Sequence, residues 1–147
     1  MTGFVSWFIY YTIMETFSKN HATYSLGYHI IFCPKFRYQV LKGAIEVELR
    51  RILVEVCKVY EWRVSSLEIM PDHVHIFVQA HPSTSPMEIA KTLKSISAVR
   101  LFSRFPELKK RRFWGTGLWS RGTYYASVGN LSAYAVQHYI DTQKERS

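Results

Sequence analysis

An α+β fold is predicted, an antiparallel sheet carrying two helices on one face. Three observations lead there. Segments of period-two hydrophobicity alternate with segments of period 3.6 in the order β-α-β-β-α-β-α. Two of the strand segments are separated only by Pro71 and Asp72, a turn so short that the second must return antiparallel to the first. The chain has 147 residues, 48% of them apolar, which suffices for one domain with a sizeable core but not for two ordinary ones.

Each element has its own signal. TYSLGYHIIFCP, residues 23–34, is rich in aromatic and β-branched residues and stops at a proline, so it reads as a strand. KFRYQVLKG follows as a basic, irregular connection. AIEVELRRILVEVCKVYEW carries apolar residues at Ile45, Val47, Leu49, Ile52, Leu53, Val56 and Val59, the spacing of an amphipathic helix. RVSSLEIM, residues 63–70, is a strand, and HVHIFVQA returns beside it. A second helix starts near Pro86 with Ser85 as its N-cap and runs through MEIAKTLKSISAVRLFSRF. KKRR at 109–112 leads into FWGTGLWSRGTYYASVG, which mixes turn glycines with a last strand. NLSAYAVQHYIDTQKERS reads as a C-terminal helix capped by Asn130 or Ser132.

The first six elements match the ferredoxin-like arrangement. The seventh must pack elsewhere, across the open sheet face or onto another subunit. No internal repeat or low-complexity segment interrupts residues 23–147, the expected single domain. Residues 1–22 stand apart as an N-terminal extension with no assigned role. Met14 is an alternative start, which would make residues 1–13 a non-native addition.

The formal charge of +8 and a pI near 9.6 point to a polyanionic partner, nucleic acid or an anionic membrane surface. Cys33 and Cys57 lie in apolar surroundings without a C-x-x-C spacing, as expected of reduced core cysteines in a cytoplasmic protein. No stretch reaches the roughly 18 to 20 apolar residues of a membrane-spanning helix. GFVSWFIYYTIM resembles a signal h-region but lacks a basic flank and an A-x-A cleavage site. Asp72 and Asp141 are the only aspartates, so a two-metal nuclease is starved of carboxylates. No G-x-x-x-x-G-K-[ST] loop offers a nucleotide site.

PDHVHIFV, residues 71–78, is the most informative stretch. Val74, Ile76 and Val78 fall on one face of a strand, and His73, His75 and Phe77 on the other. Histidines at i and i+2 stand about 6 to 7 Å apart, and two neutral ring nitrogens can share one divalent ion. A solvated pair on an edge strand is the other reading. A third ligand must come from elsewhere, and neither His81 nor His138 is placed convincingly. Tyr139 and Gln143, at i and i+4 on the last helix, share a face. A glutamine carbonyl is a reasonable hard oxygen ligand, with a tyrosine hydroxyl one turn away; equally, Tyr139 packs in the core and Gln143 faces water.

PDHVHIFV also resembles the signature of the HUH endonucleases, two histidines flanking a hydrophobic residue. The likeness is to the small single-tyrosine transposases of the insertion-sequence 200/605 group and their REP-associated relatives. YHIIFCPKFRYQVL is similar to that family's first strand and turn, LKSISAVRLF to its second helix and LWSRGTYYASVG to the segment before its last helix. YIDTQ is similar to its tyrosine-x-x-x-glutamine block. The resemblance spans about Thr23 to Gln143.

It implies metal ligation by His73, His75 and Gln143, with Mg2+ or Mn2+ as the ion, and Tyr139 as the nucleophile. The implied reaction cleaves and rejoins single-stranded DNA through a 5′-phosphotyrosine, on hairpins at element ends. The implied assembly is a homodimer whose catalytic helix can serve the histidine pair of its own or the partner subunit, the latter giving two composite sites. Candidate DNA-binding residues are Lys35 and Arg37 in KFRY, Lys109, Lys110, Arg111 and Arg112 in KKRRFW, and Arg121. The alternatives are a REP-associated nuclease acting on chromosomal palindromes and a non-catalytic nucleic-acid-binding module of the same fold.

Overall fold

The computed structural model describes residues 17–19, 22–24 and 26–128. The anticipated C-terminal helix, with Tyr139 and Gln143, lies outside the described residues. Chain order runs β1 Phe17–Lys19, β2 Ala22–Tyr24, β3 Gly27–Pro34, α1 Ala44–Val59, β4 Arg63–Met70, β5 His73–Gln79, α2 Pro86–Arg104, α3 Pro106–Arg112 and β6 Trp119–Val128. β1 and β2 form their own antiparallel pair. The main sheet has the order β4-β5-β3-β6 with every neighbour antiparallel. That is the ferredoxin-like α+β fold anticipated from the element order.

The core lies between the helices and one sheet face. Ile30 and Phe32 of β3 and Val74, Ile76 and Val78 of β5 are buried in one cluster with Leu49, Ile52 and Leu53 of α1 and Ile89, Leu93 and Leu101 of α2. Each such side chain contributes about 1.5 to 3 kcal/mol on leaving water. α1 buries Leu49, Ile52, Leu53, Val56 and Cys57, a stripe at i, i+3, i+4, i+7 and i+8. Val47 and Val59, expected on that stripe, lie off it and face solvent at 70% and 73% exposure. α2 starts at Pro86, where the Ser85 hydroxyl accepts the Glu88 N–H at 3.1 Å, the cap expected from its sequence. Glu55 of α1 accepts from Arg100 of α2 at 3.2 Å, and the Trp119 indole N–H of β6 donates to Ser97 of α2 at 3.0 Å.

Two boundaries differ from expectation. The strand anticipated over 23–34 divides, because β2 pairs with β1 while β3 pairs with β5 and β6. Hydrophobic pattern marks extended chain but not its partner. The basic stretch at 109–112 forms most of the short helix α3, started by Pro106 at its first turn and anchored by Leu108. Its cations crowd the last turn, where they complement the helix dipole, but they hide the apolar period.

The 35–43 connection is pinned at both ends. Lys35 N–H donates to Leu118 C=O at 2.8 Å, and Leu41, fully buried, donates its N–H to Pro71 C=O at 3.0 Å. Between them Phe36 and Arg37 hold left-handed backbone at φ 61° and 51°. Such conformations cost about 1 kcal/mol or more each for residues with a Cβ, and the two anchors hold them there. Arg37 is thereby carried over the turn that begins PDHVHIFV. Among the described residues no helix is long and apolar enough to cross a membrane.

Candidate metal centre and nucleic-acid surface

β5 is an interior strand, so its two faces are fixed by neighbours on both sides. The pleat sends Val74, Ile76 and Val78 into the core and turns His73, His75 and Phe77 the opposite way. Register fills out the histidine face: Met70 stands across from His73, Glu68 and Ile31 flank His75, and Ser66 and His29 flank Phe77. The face is not open along its length, because Phe77 is fully buried.

Each histidine ring is held by one of its nitrogens. His73 Nδ1 lies 2.9 Å from Asp72 Oδ1. An ionised carboxylate only accepts, so Nδ1 donates, and in the neutral ring the lone pair sits at Nε2. Arg37 donates to the other Asp72 oxygen at 3.1 Å. The hydrogen bond from His73, with the charge of Arg37 behind it, holds the Asp72 carboxyl below its ordinary pKa. His75 Nε2 meets His29 Nδ1 at 2.8 Å, the rings edge to face with centroids 4.4 Å apart. Burial, then the charge of His75, pushes His29 down to about 3. Burial, then the charge of His73, lowers His75. His29 and His75 are therefore neutral at pH 7, and neutral imidazole is the form that binds metal.

This donor set fits a divalent cation. Two nitrogen ligands share a face, and each is oriented through its second nitrogen, as ligating histidines ordinarily are. The described residues hold no group of three or more His, Cys, Asp or Glu side chains placed to hold a metal ion, so a complete ligand set needs a further donor. Gln143, the third ligand implied by resemblance, and Tyr139 fall outside the described residues. Sequence reasoning missed both orienting residues. In the sequence Asp72 marks only a turn, although it directly precedes His73. His29 alternates with Tyr28 and Ile30, but nothing short of the β3–β5 register brings it to His75.

The basic candidates divide by what their cations touch. Lys109 donates to Thr116 C=O at 2.8 Å and lies 4.7 Å above the Phe102 ring, so its charge supports the loop after α3. Arg112 stacks 5.5 Å over Tyr38. Lys110 and Arg111 pair with Glu107 on the exposed side of α3. Lys35 lies in the pinned connection, and Arg37 holds Asp72. Arg121 lines a groove of about 460 Å3 between α2 and β6, together with Lys91 and Lys94. Phe36 and Trp114 stand 68% and 78% exposed beside the two basic stretches.

A sheet, helices and histidine pair of this kind occur in a chain whose residues 22–143 match the family description Transposase IS200 like. The chain belongs to this family of Y1 tyrosine transposases. It is 36% identical over 123 residues to the ISDra2 transposase TnpA of Deinococcus radiodurans, covering 84% of this chain and 87% of that one. It is 31% identical over 128 residues to the transposase for insertion sequence element IS200 of Salmonella typhimurium, covering 87% and 83%. A crystal structure of a Deinococcus radiodurans chain described as a transposase matches with a TM-score of 0.69 at 32% identity, over 88% of this chain and 98% of that one. A REP-associated tyrosine transposase bound to a REP hairpin shares the fold alone, with a TM-score of 0.52 at 15% identity, over 85% and 69%.

Proposed function

We propose that this transposase cleaves and rejoins single-stranded DNA through a 5′-phosphotyrosine on Tyr139, at hairpins marking the ends of a mobile element. The observation that carries the reading is the pair His73 and His75 on one sheet face, each ring oriented through its second nitrogen. Family membership and the relation to insertion-sequence transposases support it.

In this reading His73, His75 and Gln143 hold one Mg2+ or Mn2+. Such an ion would supply Lewis-acid stabilisation of the charge that develops on the scissile phosphate. Tyr139 attacks phosphorus: a P–O bond to the phenol forms, and the bond to the 3′ oxygen breaks. The phenol proton is lost and the departing 3′ oxygen leaves as a hydroxyl. Resealing is the reverse exchange with another 3′ hydroxyl, so each step trades one phosphodiester for another. Asp72 and Arg37 orient His73. Half-buried Lys35 and the exposed cations of Lys110, Arg111, Arg112 and Arg121 meet DNA phosphates, with exposed Phe36 and Trp114 as stacking surfaces. A homodimer that places Tyr139 against the partner's histidine pair completes two composite sites.

Labelled single-stranded hairpin DNA incubated with the protein and Mn2+ should yield a covalent adduct on a denaturing gel. Tyr139→Phe should abolish the adduct, and His73→Ala should remove cleavage while hairpin binding survives. An adduct that persists in Tyr139→Phe would sink the nucleophile assignment. Binding without any adduct across a panel of element ends would favour the non-catalytic module.

A further inference from the structure

We propose that His29 is a positioning residue, fixing which nitrogen of the His75 ring carries the proton. The sense of that hydrogen bond rests on the function proposed above; the contact between the two rings does not. His29 Nδ1 and His75 Nε2 are 2.8 Å apart, and one proton between two ring nitrogens can give that hydrogen bond only two senses. If His75 donates from Nε2, its lone pair sits at Nδ1 and the ring can serve a cation. If His29 donates, His75 accepts at Nε2 and its proton moves to Nδ1, leaving no lone pair for a cation.

The first sense repeats the pattern at His73, where Asp72 accepts from one nitrogen and the lone pair remains on the other. His29 is only 4% exposed. Its ring stands edge to face with Phe77 at 5.2 Å and with His75 at 4.4 Å. Packing, rather than water, therefore fixes its orientation. One ligand is held by the residue just before it, the other by an imidazole 46 positions away that the sheet register delivers. Outer partners of this kind typically matter about 10- to 100-fold in metal affinity.

Two measurements decide it. In the full chain, labelled with 15N and without added metal, long-range proton–nitrogen correlations should show His75 and His29 both protonated at Nε2. Finding His75 protonated at Nδ1 overturns the proposal, whether or not any variant folds. Mn2+ binding, read from the loss of the free-ion EPR signal, should weaken about 10- to 100-fold in His29→Leu. His29→Gln, whose amide oxygen can still accept, should recover most of that loss. Unchanged Mn2+ affinity in His29→Leu also overturns it. If the unsubstituted protein takes up no Mn2+, the metal reading of the site fails, and the tautomer measurement still decides the role of His29.

Discussion

A histidine buried beneath a sheet face resists protonation, and His29 shows the cost. Its folded pKa of about 3 lies below the ordinary 6.5, so between those values the unfolded chain binds the extra proton. Stability is then fully present above about pH 6.5 and is lost as pH falls toward 3, by at most about 1.4 kcal/mol per pH unit. His75, also lowered by burial, adds in the same direction. Urea unfolding of the metal-free protein at pH 7 and pH 5 should show this loss, and His29→Leu should flatten it. Equal slopes in both proteins would assign the pH dependence to other groups.

The strand pair β3–β5 is locked by a complementarity between a missing side chain and a large one. A Cβ at Gly27 would lie 2.4 Å from the Phe77 ring, far inside van der Waals contact. Phe77 pairs directly with His29 and reaches diagonally over Gly27, so the ring that covers Gly27 also buttresses the histidine beneath His75. Gly27→Ala should destabilise the protein by about 1 to 3 kcal/mol in chemical denaturation, since the ring must move within a packed layer. Adding Phe77→Leu should recover part of that loss, a non-additivity expected of residues in contact. A neutral Gly27→Ala would show that the ring shifts freely.

For the molecule as a whole, the +8 charge sets how DNA should be held. Affinity for single-stranded hairpin DNA should fall steeply with salt, with a log–log slope of about −0.7 per single-strand phosphate neutralised. Replacing Lys110 and Arg111 together by alanine should make that slope shallower by roughly one to one and a half, as measured by fluorescence anisotropy between low and moderate salt. An unaltered slope would place the DNA elsewhere on the surface.

Much of this protein is written in local pattern. The β4–turn–β5 unit, the Ser85 cap and the face shared by His73 and His75 are each set within a few neighbouring residues, where backbone period and capping chemistry act. Other features depend on partners distant along the chain. β2 separates from β3 because they pair with different strands, and Val47 and Val59 face water because the buried stripe of α1 follows the sheet beneath it. Arg37 reaches Asp72 because Leu41 is tied to the turn at Pro71, and His29 reaches His75 because β3 lies against β5 in one register. Amino-acid order alone was enough to place the main-sheet strands and the two long helices, though not β1 or α3, and to name the ligand candidates. Only three-dimensional packing could select the groups that orient the imidazoles, since a hydrogen bond across a sheet depends on register and leaves no spacing to read.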